Sequence, residues 1–165
     1  QARSADIGSR HPTPRDESQV AHLLEGLDTQ TRLIYEPVKE GLTHVDEKLR
    51  HLSTDEGTFQ HLSELLDYVL QNKGKRVRPA VTLLASQVHP GPPDLPVLMA
   101  AAVELLHIAT LIHDDTVDNS ALRRGKATVS NLWGQNVAVL LGDYVFAASG
   151  LAIIAGAVLE RLERS

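Results

Sequence analysis

The 165-residue sequence has no cysteine. That excludes disulfides and thiolate chemistry, and it leaves a reducing compartment as the default. It has no excess of positive charge either: the formal net charge is -5, which argues against wholesale nucleic-acid binding. No secretory signal is visible, because residues 1–19 are polar throughout. The first residue is Gln1 rather than Met, so the chain is either processed or does not start at its native N-terminus. Strand-like alternation bounded by turn residues, internal repeats and low-complexity tracts are all missing. These absences leave a cytoplasmic, all-α protein as the expectation.

Apolar residues make up 42% and charged residues 22% of the chain, enough for one domain with a core. Residues 1–19 are rich in Arg, Ser, Pro and Asp and read as a disordered arm; residues 20–165 form the helical domain. Val38, Leu42, Val45, Leu49 and Leu52 recur at spacings of three and four, one helical stripe with Pro37 suited to its first turn. Phe59, Leu62, Leu66 and Val69 repeat the pattern, ending near Gly74. Val81, Leu84 and Val88 predict a third stripe, stopped by His89-Pro90-Gly91-Pro92-Pro93. A long apolar helix runs from about Leu95, a polar loop or short helix covers residues 119–134, and the last helix begins near Gln135. Its Val137–Leu159 portion has one charge, Asp143, and is long enough to span a bilayer. The absence of a basic flank and the interrupting aspartate favour instead a helix buried on all sides, with no stable membrane span.

Charge is concentrated at two places. Asp114 and Asp118 are four residues apart and share a helix face, with Asp115 rotated to one side. They follow the apolar run Leu105–Ile112, at the C-terminal end of a buried helix, where carboxylates meet the negative end of the helix dipole. Solvated acids tolerate that position; binding of Mg²⁺, which takes oxygen ligands and shares its site with phosphates, would give it a purpose. Arg123 and Arg124 follow closely and suit bidentate phosphate contacts. Lys73-Gly74-Lys75-Arg76-Val77-Arg78-Pro79 is a second basic cluster, four cations in six positions, with Gly74 allowing close backbone approach and Pro79 starting a helix. His107 lies two turns before Asp114 on the same face, which raises its standing as a ligand residue; His113 points elsewhere.

These strings, GKRVRP at 74–79, ELLHIATLIHDDTVD at 104–118, RRGKAT at 123–128 and NLWGQNVAVLLGDYVFA at 131–147, resemble as an ordered set the trans-isoprenyl diphosphate synthases, or polyprenyl synthetases. The resemblance covers about residues 30–150 and looks most like the medium- and long-chain synthases. It implies the N-terminal half of an isoprenoid-synthase-type helical bundle, and Mg²⁺-dependent head-to-tail condensation of isopentenyl diphosphate with an allylic prenyl diphosphate. By the same resemblance, Asp114 and Asp118 hold Mg²⁺ on the allylic diphosphate with Asp115 assisting, and Arg123 contacts that diphosphate. Gly74, Lys75, Arg78, His107 and Arg124 hold isopentenyl diphosphate. Lys73 stands where the family usually has a further glycine. Ala109 and Thr110 occupy the positions where a large aromatic residue stops chain growth in the family; both are small here, which implies a medium- or long-chain product.

The family has a second aspartate-rich motif far downstream, whereas Asp143 is the sole aspartate after Asp118. A fragment of a longer synthase, a subunit completed by a partner that supplies the second motif, and a non-catalytic regulatory relative all accommodate this, and a homo- or hetero-dimer through helices is expected. Each leaves apolar helix faces that would drive association, and little turnover is expected of the chain alone. A membrane-anchored protein, a cation-binding module and a terpene cyclase are the rival readings; the two basic clusters, suited to a second diphosphate substrate, speak against a cyclase.

Overall fold

A computed structural model of the protein describes residues 29–54, 60–71, 74–88, 92 and 94–163. The polar arm, Phe59 and Lys73 lie outside the described residues.

The first helix among the described residues, α1 (Thr29–Tyr35), passes through a 3₁₀ turn (Glu36–Val38) into α2 (Lys39–Thr54). Pro37 sits in that turn, where its missing N–H leaves no helical bond unmade. The predicted stripe is the buried face: Val38, Leu42, Val45 and Leu49 are in the core and Leu52 packs against it. Next comes α3 (Gln60–Leu70), which buries Leu66, Val69 and Leu70.

α4 (Val77–Ser86) departs from the expected stripe. Val81 is 60% and Val88 77% exposed, while Pro79, Ala80 and Leu83 face inward. Apolar residues at 77, 80, 81, 83, 84 and 85 give this short helix more than one apolar stripe, so spacing alone does not select a face. The choice is made upstream, where Arg76 adopts a left-handed backbone (φ 48°) and sets the direction of entry. Pro79 is the third residue of the helix rather than its first.

α5 (Leu95–Val117) carries Pro96 in its first turn and is the hub of the fold. It packs most extensively against α7 (Gln135–Glu163), and also against α2 and α4. Small residues permit the close α5–α7 approach. A side chain at Gly142 would run into the His113 ring, and one at Gly156 would come within 2.6 Å of Met99. Ser149 Oγ donates to the Ala102 carbonyl across the interface at 2.8 Å, both residues being buried.

Between these helices lies a short β-hairpin, β1 (Leu122–Arg123) and β2 (Lys126–Ala127), with Leu122 opposite Ala127 and Arg123 opposite Lys126. Arg124 (φ 52°) and Gly125 (φ 79°) form its turn, with positive φ at both central residues. Strands of two residues carry no alternation, which is why residues 119–134 read as a loop. α6 (Val129–Trp133) follows, its first turn capped by Thr128, whose Oγ1 accepts from the Asn131 N–H at 3.3 Å. Tyr68 of α3 ties this region down: its hydroxyl donates to the Ala127 carbonyl at 2.6 Å, and Trp133 meets its ring edge-on.

The final helix is not buried on all sides. Ala138, Leu141 and Val145 face α5, while Leu140, Phe146, Leu151 and Ile154 are exposed. Its nearly uniform apolar composition gave no way to tell a covered face from an open one. Both α5 and the Gln135–Leu162 part of α7 are long and apolar enough to cross a membrane by length and composition.

Candidate diphosphate site

The aspartates occupy the last turn of α5. Asn119 follows in a left-handed conformation (φ 50°) and ends the helix. Asp114 and Asp118 are exposed; Asp115 turns inward and is buried. Arg123 meets Asp115 from the hairpin, with Nε 2.8 and 2.7 Å from the two carboxylate oxygens. Hydrogen bonding to Asp115, reinforced by the charges of Asp115, Asp114 and Asp118, raises the Arg123 pKa above its ordinary value against the opposing effect of burial.

A cavity of about 100 Å³ opens beside this pair. Gly74, Glu104, His107, Asp115, Arg123, Arg124 and Lys126 contribute to its wall. Thus α5, the loop before α4 and the hairpin converge, and four of the predicted diphosphate-binding residues share one space. A side chain built on Gly74 would come within 3.6 Å of an Arg124 guanidinium nitrogen. His107 is half-buried at the centre. Burial, then the charges of Arg78, Arg124 and Arg123, hold its pKa below the usual histidine value, against the pull of Glu104. The ring is therefore neutral at neutral pH.

Lys75 and Arg78 do not line the cavity; both side chains are exposed. The loop that carries them is fixed by Tyr35, whose hydroxyl donates to the Lys75 carbonyl at 2.7 Å. Thr110 is exposed, and its hydroxyl donates to the His107 carbonyl at 2.7 Å; Ala109 is wholly buried.

Sequence reasoning grouped Arg76 with the ligand-facing cations, but its side chain is only 4% exposed. Its Nε lies 2.9 Å from Asp46 Oδ1 on α2, and its Nη1 lies 2.7 Å from Glu104 Oε1 on α5. The sequence does hold a signal for this. Asp46 sits within the stripe of Leu42, Val45 and Leu49, and Glu104 sits beside Leu105 on a buried face. Acids on buried faces call for a cation.

Among the described residues, no group of three or more His, Cys, Asp or Glu side chains is arranged to hold a metal. Asp114 and Asp118 instead supply two hard, exposed carboxylates one turn apart. This donor set suits Mg²⁺, which binds through one or two carboxylates and completes its shell with water and phosphate oxygens.

A polyprenyl synthetase family model matches residues 59–157. The nonaprenyl diphosphate synthase of Mycobacterium tuberculosis is 35% identical over 134 residues, which cover 78% of this chain and 38% of that protein. Heptaprenyl diphosphate synthase component 2 of Geobacillus stearothermophilus is 38% identical over 120 residues, 72% of this chain and 36% of that one. The crystal structure of a decaprenyl diphosphate synthase from Rhodobacter capsulatus superposes with a TM-score of 0.67 at 36% identity, covering 74% of this chain and 37% of its own. The chain thus spans well under half the length of the relatives it matches, while its basic loop, aspartate-rich helix end and hairpin all fall inside the family match. With that extent of similarity in sequence and fold, the chain belongs to the polyprenyl synthetase family.

Proposed function

We propose that the chain carries the diphosphate-binding part of a polyprenyl diphosphate synthase, a prenyltransferase that condenses isopentenyl diphosphate with an allylic prenyl diphosphate. The observation that carries this reading is the cavity where Gly74, His107, Arg123 and Arg124 meet beside the aspartates of α5. In the reaction the allylic C1–O bond breaks and its electron pair leaves on diphosphate. The terminal alkene carbon (C4) of isopentenyl diphosphate bonds to C1, which leaves a cation at its C3, and loss of a proton from its C2 forms the new double bond. Mg²⁺ held by Asp114 and Asp118, with Asp115 beside them, would stabilise the charge that develops on the leaving group.

The chain's own side chains position the reactants. Arg123 presents a permanent cation at the acidic helix end, and its pairing with Asp115 fixes the hairpin against α5. Arg124 extends from the turn toward Gly74. Neutral His107 offers a hydrogen bond without adding charge. Lys75 and Arg78, both exposed beside the cavity, would complete the grip on isopentenyl diphosphate. The small residues Ala109 and Thr110 leave α5 without a bulky stop below the aspartates. Together with the nonaprenyl, heptaprenyl and decaprenyl relatives, this supports a medium- or long-chain product.

Turnover, in this proposal, needs a second aspartate-rich motif that the sequence does not contain. The similarity to a protein named as a component supports a different subunit as one source for it. The mutual packing of α5 and α7 supports a role as core helices rather than as membrane spans. Incubation of the purified chain with Mg²⁺, farnesyl diphosphate and labelled isopentenyl diphosphate tests the reading. Saturable binding with little or no polyprenyl product is expected. Robust product formation by the chain alone would overturn the subunit assignment, and absence of any diphosphate binding would overturn the function.

A further inference from the structure

The charges on the wall of the cavity can be matched pair by pair. Two carboxylates line it, Glu104 and Asp115. Each already has an arginine: Arg76 lies 2.7 Å from Glu104, and Arg123 lies 2.7 Å from Asp115. His107 is neutral at neutral pH, for the reasons given above. Two cations remain on the wall, Arg124 and Lys126, and neither has an ion-pair partner among the described residues. The wall therefore presents two cationic side chains without an ion-pair partner, while the single charge of Arg76 is shared between Glu104 and Asp46. A phosphate monoester carries about −1.5 to −2 charges at neutral pH, so one arginine alone leaves a diphosphate undercompensated.

The hairpin register explains how Lys126 comes to be there. Lys126 is the cross-strand partner of Arg123, and directly opposed residues project from the same face of a ribbon. Arg123 is held by the α5 carboxylate, so the other member of the pair is left to face the ligand. Its flexible stem and point charge suit an anion whose oxygens vary in position.

We propose that Lys126 is a diphosphate-binding residue of this site, the hairpin's direct contact to the anion beside Arg124, while Arg123 is engaged by Asp115. The inference rests on the diphosphate-site reading above and adds to it a residue outside the set that the family resemblance assigns.

Calorimetric titration of the full chain with inorganic diphosphate in metal-free buffer tests it, since cationic side chains are then the sole charge partners offered to the anion. Wild type is expected to bind saturably. Lys126→Met should weaken binding by about tenfold or more, the effect of losing one hydrogen bond to a charged group. Lys126→Arg should bind nearly as wild type does. Lys126 is exposed on the ribbon, so the helical circular dichroism of both variants should match wild type. Equal affinity of Lys126→Met and wild type, with Arg124→Met impaired, would overturn the assignment of Lys126 and leave the site intact. No saturable binding by wild type would overturn the site itself, and the Lys126 assignment with it.

Discussion

Arg76 shows how one residue can be read for its charge and missed for its backbone. Four cations in six positions suggested a ligand-facing patch, yet the left-handed turn at Arg76 sends its side chain inward while Lys75 and Arg78 stay exposed. Gly74, His107, Arg123 and Arg124, which line one cavity, could be picked out because the resemblance rests on residue type and order. The buried one could not, because its role depends on Asp46 and Glu104, 30 and 28 residues away in sequence. Removing it strands two buried acids. Arg76→Met should cost about 3–5 kcal/mol of folding free energy, the usual effect of breaking a buried ion pair from one side. Urea unfolding measures this, and a loss below about 1 kcal/mol would show that the acids find other partners or protonate at little cost. Arg76→Lys should recover part of the loss, since a lysine keeps the charge but cannot present a planar fork to two carboxylates at once.

Among the elements, the helices α2 and α3 followed from their apolar spacing and α5 from its long apolar run, whereas α4 presented a different face and the β-hairpin went unseen. In α4 several apolar stripes compete, and the entry angle decides between them. In the hairpin the ladder is too short for a pattern, and its signal is the pair of positive φ angles at Arg124 and Gly125. Gly125 offers a clean test of that turn. A methyl added there would meet nothing within 4 Å, so the effect of Gly125→Ala isolates the backbone conformation. A left-handed alanine costs roughly 1–2 kcal/mol. The variant should show a matching drop in unfolding free energy and weaker diphosphate affinity, because Arg124 and Lys126 flank the turn. Unchanged affinity alongside the stability loss would mean that the turn does not set the positions of those cations.

At the scale of the whole molecule, the α-helical class was legible from periodicity and composition, but the distribution of covered and open surface was not. Val137–Leu159 reads as fully buried because it is apolar all round; in the folded chain α7 meets α5 along one side and leaves Leu140 (69% exposed) and Leu151 (67% exposed) on the other. Soluble monomers rarely keep so continuous an apolar face open. The purified chain should therefore associate as its concentration rises, in sedimentation velocity runs. The double substitution Leu140→Glu and Leu151→Glu should shift it toward monomer while leaving diphosphate affinity unchanged, since neither residue lines the cavity. A wild-type chain that stays monomeric at its highest soluble concentration would contradict this.

The edge-on contact between Trp133 and Tyr68 has a practical consequence. Trp133 is the protein's one tryptophan, and Tyr68 both holds the hairpin through Ala127 and lines the cavity. The fold thus has an intrinsic fluorophore one ring away from the cavity. Its emission can report movement of the hairpin when an anion enters, with no label attached and no turnover required.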